Sequence, residues 1–307
     1  MVLLLMEKNK NHNMKYIKLF EQFLNESGNS INDAQPIPQA DVMPTAKWVE
    51  SNLFPKIGLA GLEDDAAIIG SAGKKADDQM SGDIDLAVSA DKIAAALGTT
   101  LQNALFALND KLKSLGYETK LAPGFNQVSI GAPIGGDPKK GTAQIDLMLS
   151  TDLDWSRFIY HSPDFRTAES RYKGAYRNLL LMATMGNSFK KVVATTDAGD
   201  VKEFEAYVIR LNQGVVQVRK SFEGKRGLLK NAALLKEYDK EITRTPQEVV
   251  NLLFKGNHKP SDVDTYEKLK SLLDSSDFLY PEVRSAIMAE YKQKLEDAKL
   301  PFPNDLG

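Results

Sequence analysis

Asp83-Ile84-Asp85 places two carboxylates two residues apart, within the run Gly82-Asp83-Ile84-Asp85-Leu86-Ala87-Val88. On a β-strand successive side chains point to opposite faces, so these acids share one face while Ile84, Leu86 and Val88 occupy the other. Held side by side they repel, and a divalent cation relieves that repulsion. Hard oxygen donors of this kind suit Mg²⁺, which usually takes one or two carboxylates together with substrate phosphates. Upstream, Ala66-Ala67-Ile68-Ile69 runs into Gly70-Ser71. That reads as strand, tight turn and helix start, a shape that offers backbone N–H groups and a hydroxyl to an anion. Downstream, Ile145-Asp146-Leu147-Met148-Leu149 reads as another strand, with a single acid among apolar residues.

A Gly-Ser turn, eleven residues, Asp-x-Asp, then a later strand carrying one Asp resembles the polymerase-β-like nucleotidyltransferases. The resemblance covers roughly residues 46–190. It implies an α+β fold: a nucleotidyltransferase core of mixed sheet flanked by helices, then a β-hairpin and a mainly helical C-terminal region. It also implies that Gly70 and Ser71 hold a nucleoside triphosphate. Asp83, Asp85 and Asp146 would bind two Mg²⁺ ions, with Mn²⁺ as a substitute, and Asp146 would help activate the attacking hydroxyl. Two metals can clamp the entering and leaving oxygens of an in-line displacement at phosphorus.

Asp-x-Asp by itself also serves glycosyltransferases and haloacid-dehalogenase-like phosphatases. The phosphatase pattern calls for Thr or Val two residues after the second acid, where this chain has Ala87. The glycosyltransferase reading leaves Gly70-Ser71 without a role. A further alternative is a non-catalytic nucleotide-binding or virion structural protein on the same fold. Against it stands the retention of three clustered acids, which an inactive site has no physical reason to keep.

Leu97, Leu101, Leu105, Leu108, Leu112 and Leu115 form one apolar stripe, which predicts a single long helix opened by Asp91 and closed by Gly116. A helix that covers a sheet must look like this. Thr119–Leu121 and Gln127–Ile130 read as strands, and Gly131–Gly141 as a loop or hairpin tip before the Asp146 strand. A helix over 46–54 opens after Thr45 and leads to the first strand. Residues 27–43, rich in Ser, Asn, Pro and Gln, read as a linker.

From 156 to 191 there are seven Lys/Arg against two Asp/Glu. A helix from Thr167 would set Ser170, Lys173 and Arg177 on one face. Such a face is either solvated surface or a source of cations for the triphosphate. In nucleotidyltransferases a Lys and an aromatic residue on a following helix often contact triphosphate or base, and the resemblance puts Lys173 and Tyr176 there, with Arg177 beside them. Lys190–Thr195, Glu203–Leu211 and Val215–Phe222 read as strands, with a hairpin turn at Asn212-Gln213-Gly214. Arg210, Arg219, Lys220, Lys225 and Arg226 cluster around that hairpin, either guarding a strand edge or binding a polyanion such as RNA. Residues 227–300 read as helical, with Thr245-Pro246-Gln247-Glu248 as a start signal.

The domain reading is therefore an N-terminal segment over 1–26, a linker over 27–43, a core over 44–190 and a C-terminal region over 191–307. Residues 14–26 show helical apolar spacing, for either a short helix that docks on its own domain or a detachable sorting or partner helix; the segment resembles short N-terminal segments on some tailed-phage proteins packaged into virions. The chain is 42% hydrophobic and 26% charged, with net charge −2, so nothing pulls it as a whole toward nucleic acid or anionic membrane. It has no Cys and three widely spaced His, which excludes thiolate chemistry and Cys-ligated zinc. No apolar run approaches the roughly 18 residues that span a bilayer, and Met1–Met6 is too short for a secretory apolar core. The expected setting is cytoplasmic: host cytoplasm or virion if the chain is phage-encoded. The expected partners are a nucleoside triphosphate and an acceptor (RNA, protein or small molecule) that no motif identifies.

Overall fold

The computed structural model describes residues 30–195, 201–222 and 232–306. The chain divides into two units, one ending at Gly174 and the next beginning at Ala175. Each is a mixture of helix and sheet, so the architecture is α+β.

The first unit is built on a mixed five-stranded sheet. Its strands are β2 (Ala66–Ile69), β4 (Asp83–Ser89), β5 (Thr119–Ala122), β6 (Gln127–Pro133) and β7 (Thr142–Ser150). Their order is β2-β4-β7-β6-β5, with β4 and β7 parallel and every other pair antiparallel. Two short strands, β1 (Ile37–Pro38) and β3 (Met80–Ser81), pair separately. β7 lies at the centre and is buried from Ala143 to Ser150, which accounts for its nearly continuous apolar run. An acid placed in that run is therefore an acid in the interior.

Helices α1 (Gln39–Asn52), α2 (Ala90–Ala96), α3 (Ala104–Ser114) and α4 (Leu153–Ile159) complete this unit. Three of them differ from the sequence reading. α1 starts at Gln39, within the stretch read as linker, and carries Pro44 in its interior. Proline has no N–H and breaks most helices, which hid a start that the stripe Val42, Ala46, Val49 and Leu53 otherwise marks; all four are fully buried. Thr45, next to the proline, donates its hydroxyl to the Asp41 carbonyl and accepts the Gly135 N–H.

The long leucine helix is in fact two helices. Ser89, not Asp91, caps α2 by accepting the Lys92 N–H. The chain then breaks at Gly98, which has φ +61°, before α3 begins. Leu105, Leu108 and Leu112 are buried, whereas Leu101, in the break, is 44% exposed. A stripe of leucines sets which face is apolar; it does not require the backbone to stay helical through Gly98-Thr99-Thr100.

The second unit contains α5 (Gly174–Ser188), most of which lies past the division, and an antiparallel sheet in the order β11-β10-β9-β8. The strands are β8 (Lys191–Thr195), β9 (Val201–Arg210), β10 (Gly214–Phe222) and β11 (Ala232–Thr243). The β9–β10 hairpin matches the sequence reading. β11 does not, because residues 227–300 read as helical. Its sequence Ala-Ala-Leu-Leu-Lys-Glu favours helix by propensity, but pairing along β10 overrides that weak preference. Helices α6 (Pro246–Leu253), α7 (Tyr266–Asp274) and α8 (Arg284–Asp297) follow. The helix expected at 14–26, and Lys225 and Arg226 of the basic cluster, lie outside the described residues. Among the described residues no helix is long and apolar enough to cross a membrane.

Candidate metal centre

Register brings the acids together. Asp85 of β4 stands opposite Asp146 of β7 in the parallel pair, and Asp83 stands opposite Gln144. All four side chains therefore project from one face of the sheet. Asp83, Asp85 and Asp146 each offer a carboxylate oxygen within 4.8 Å of the others. Asp146 is buried, and Asp83 and Asp85 are partly so.

The electrostatics are those of a crowded anionic site that Lys75 offsets only in part. Burial raises the Asp83 carboxyl above the usual range, with Lys75 and the Asp83 backbone N–H acting against it. Asp85 is pushed well above its ordinary value, first by desolvation and then by the charges of Asp83 and Asp146. Asp146 is raised to about 6 by burial, while hydrogen bonds from Ser129, Gln144 and Gln127 restrain the rise. Three crowded acids favour their charged forms only when positive charge joins them. All the donors are hard carboxylate oxygens, the set that suits Mg²⁺ or Mn²⁺ rather than zinc or copper. The residues present fit such a cation.

Gly70 closes one side. Ile69, the last residue of β2, pairs with Asp85, and the chain turns at Gly70 with φ +70°. The expected helix start does not follow: residues 70–73 are a turn, and irregular chain runs on to β3. Positive φ at both Gly70 and Gly73 prevents helical continuation. The Gly70 N–H donates to the Tyr160 carbonyl, so it is already committed. Any anion held here must be met by side chains and by the turn beyond Gly70. Tyr160 is buried, and its phenol is raised above the ordinary value by burial and by the Asp85 charge.

Lys75 is the residue that sequence reasoning missed. Its Nζ donates to the Met80 carbonyl at 3.0 Å, and its N–H donates to Gln39 Oε1. Burial lowers its pKa; Asp83 opposes that most strongly, Lys173 adds to it, and Asp85 opposes it again. Lys75 thus brings a cation to the acids and feels the charge of Lys173. Only its place in the Gly73-Lys74-Lys75 run signalled it, and nothing there separated Lys75 from Lys74, whose Nζ donates to the Ser162 carbonyl.

The candidates after the third acid scatter. A single 3₁₀ turn, Phe165–Thr167, stands where a helix was expected, and Ala168 with φ +54° ends it. Lys173 is exposed and precedes α5. Gly174 is required because a β-carbon there would fall 2.1 Å from the His161 carbonyl oxygen. Tyr176 and Arg177 belong to the second unit, and both are buried. Arg177 donates from Nε to the Val263 carbonyl and from Nη1 to Asn178 Oδ1. Burial lowers its pKa to about 9, with Asp264 opposing. In the hairpin, Arg219 pairs with Glu203 at 2.7 Å and Arg210 donates to Gln213.

No family model and no curated protein matches the chain. Among solved structures it is similar to a crystal structure of Leishmania infantum polymerase beta in a ternary gap complex. That similarity has a TM-score of 0.34 and 11% identity, covering 95% of this chain and 80% of that one.

Proposed function

We propose that this chain is a Mg²⁺-dependent nucleotidyltransferase that moves a nucleoside monophosphate from a nucleoside triphosphate to an acceptor hydroxyl. The observation that carries the reading is the convergence of Asp83, Asp85 and Asp146, with register pairing Asp85 to Asp146 across parallel strands. Bound Mg²⁺ would supply charge neutralisation for the phosphates and a lower pKa for the attacking hydroxyl.

The chain's own residues would do the rest. Asp83 and Asp85 would hold the cations from β4. Asp146 takes the proton of the acceptor hydroxyl. The freed oxygen forms a bond to the α-phosphorus, the bond from that phosphorus to the bridging oxygen breaks, and pyrophosphate leaves with the electron pair. Ser71 in the turn, Lys75 and Lys173 are the first-unit groups that meet the triphosphate in this reading. Positioning and charge compensation account for most of the rate in reactions of this type.

The test is a labelled-triphosphate transfer screen with Mg²⁺ and Mn²⁺, against RNA, protein and small-molecule acceptors. Label transfer that is lost in Asp85→Asn supports the reading. Triphosphate binding without transfer to any acceptor class would favour a non-catalytic nucleotide-binding protein instead.

A further inference from the structure

Asp146 is held by a neutral amide whose orientation is set from far away in the chain. Gln144 precedes it by two residues on β7, and its Nε2 donates to Asp146 Oδ1 at 3.0 Å. At its other end, Gln144 Oε1 accepts the backbone N–H of Ser30 at 2.9 Å. A backbone N–H can only donate, so the oxygen end of the amide must face Ser30 and the nitrogen end must face the acid. Gln144 is 1% exposed, which leaves water little part in the arrangement. The chain after Ser30 runs along the same edge. Ile31 is buried, Ala34 bridges to Thr142, and the Gln35 N–H donates to the Thr142 carbonyl. Residues 30–35 therefore strap the start of β7, two residues before Gln144.

We infer that Gln144 is a positioning residue for Asp146, locked in its donor orientation by the Ser30 backbone; this rests on the reading of Asp146 as a metal-binding, proton-accepting acid. Groups that hydrogen-bond a metal-ligating carboxylate orient it, and losing them typically costs 10–100-fold in metal affinity or activity. Ser129, opposite Asp146 on β6, adds a second hydrogen bond, and the Gln127 side chain donates to the Ser129 hydroxyl. Gln144 differs from these because it alone carries the orientation of the strap into the site. A change in the chain at Ser30 is then felt at the acid.

The test uses the full chain and three variants, Gln144→Met, Ser30→Pro and Asp146→Asn, with Mn²⁺ as the probe. Gln144→Met keeps the volume and removes both hydrogen bonds; Ser30→Pro removes only the N–H. Mn²⁺ affinity is read by electron paramagnetic resonance, metal-free melting by calorimetry, and kcat and KM by the transfer assay. The expected result is a loss of Mn²⁺ affinity of about 10-fold or more in Gln144→Met, and a smaller loss of the same direction in Ser30→Pro. Where transfer is measurable, kcat falls and KM for the triphosphate stays within about twofold. A Gln144 that only fastens the strap would lower the melting temperature and leave Mn²⁺ affinity and kcat at wild-type values, and that result overturns the inference. Wild-type Mn²⁺ binding in Asp146→Asn would instead overturn the reading of the acid itself.

Discussion

A β-carbon built on Gly70 would fall 2.6 Å from Asp85 Oδ2. The turn and the acid are packed so closely that only glycine leaves the carboxylate where it is. The backbone asks for the same residue, since Gly70 has φ +70°. Gly70→Ala should therefore cost roughly 1–2 kcal/mol of stability through the left-handed backbone and should also displace Asp85. Calorimetry reads the first effect and Mn²⁺ titration the second. Normal Mn²⁺ affinity in this variant would mean that Asp85 does not need its present position.

Asp85→Asn separates stability from function. The carboxyl is destabilised by burial, Asp83 and Asp146 together, so neutralising it relieves repulsion in the metal-free protein. Metal-free melting should be equal to or above wild type. Mg²⁺ with triphosphate should raise the wild-type melting temperature by linkage and leave the variant nearly unmoved. Transfer should fall about 10³-fold, or roughly 4 kcal/mol of barrier.

The metal-free protein should grow more stable at this site as pH falls from 7 to 4. Burial holds the folded Asp146 carboxyl up at about 6, against an ordinary value of 3.8. Above 6 both states are ionised and the folded one bears the full cost of a buried charge. Between those values the folded state takes up the proton first, so the cost is relieved; below them both are protonated and the effect levels off. The swing for this group is up to about 3 kcal/mol. Saturating Mg²⁺ should flatten the dependence, and a denaturant-melt series across pH with and without Mg²⁺ reads it directly.

Lys75 and Lys173 should act on the triphosphate and not on the fold. Lys75→Ala and Lys173→Ala should each weaken triphosphate binding by ~1–3 kcal/mol, the cost of a lost charge-assisted hydrogen bond. Isothermal titration measures this. Unchanged affinity in both would return these lysines to the role of ordinary surface cations.

Arg177→Met should damage the second unit alone. It removes a fully buried guanidinium bonded to the Val263 carbonyl, leaving that acceptor without this donor at a cost of about 1–3 kcal/mol. Mn²⁺ affinity should stay at the wild-type value. A selective loss of triphosphate binding with normal melting would give Arg177 the nucleotide role that its sequence position suggested.

Local pattern determined a good part of this protein. The alternation around Asp83 and Asp85 implied a strand with one acidic face, and β4 is that strand. The apolar flanks of Asp146 implied a strand, and β7 is that strand. The leucine spacing marked Leu105, Leu108 and Leu112 as core, and they are buried, though Leu101 of the same stripe is not. These features depend on neighbours within a few residues, and backbone geometry converts them directly into faces. Tertiary structure decided the rest. Whether Asp85 meets Asp146 depends on the register of β4 against β7, and hydrogen bonds between strands are set by the whole sheet. Propensity alone favoured a helix at β11, and pairing with β10 prevailed. Lys75 gained its place by a fold of the chain that brings Asp83, Asp85 and Lys173 to it. The hold of Ser30 on Gln144 spans 114 residues, a separation at which neither hydrophobic period nor turn chemistry leaves a trace, because the contact forms only when the strap and the central strand are packed together.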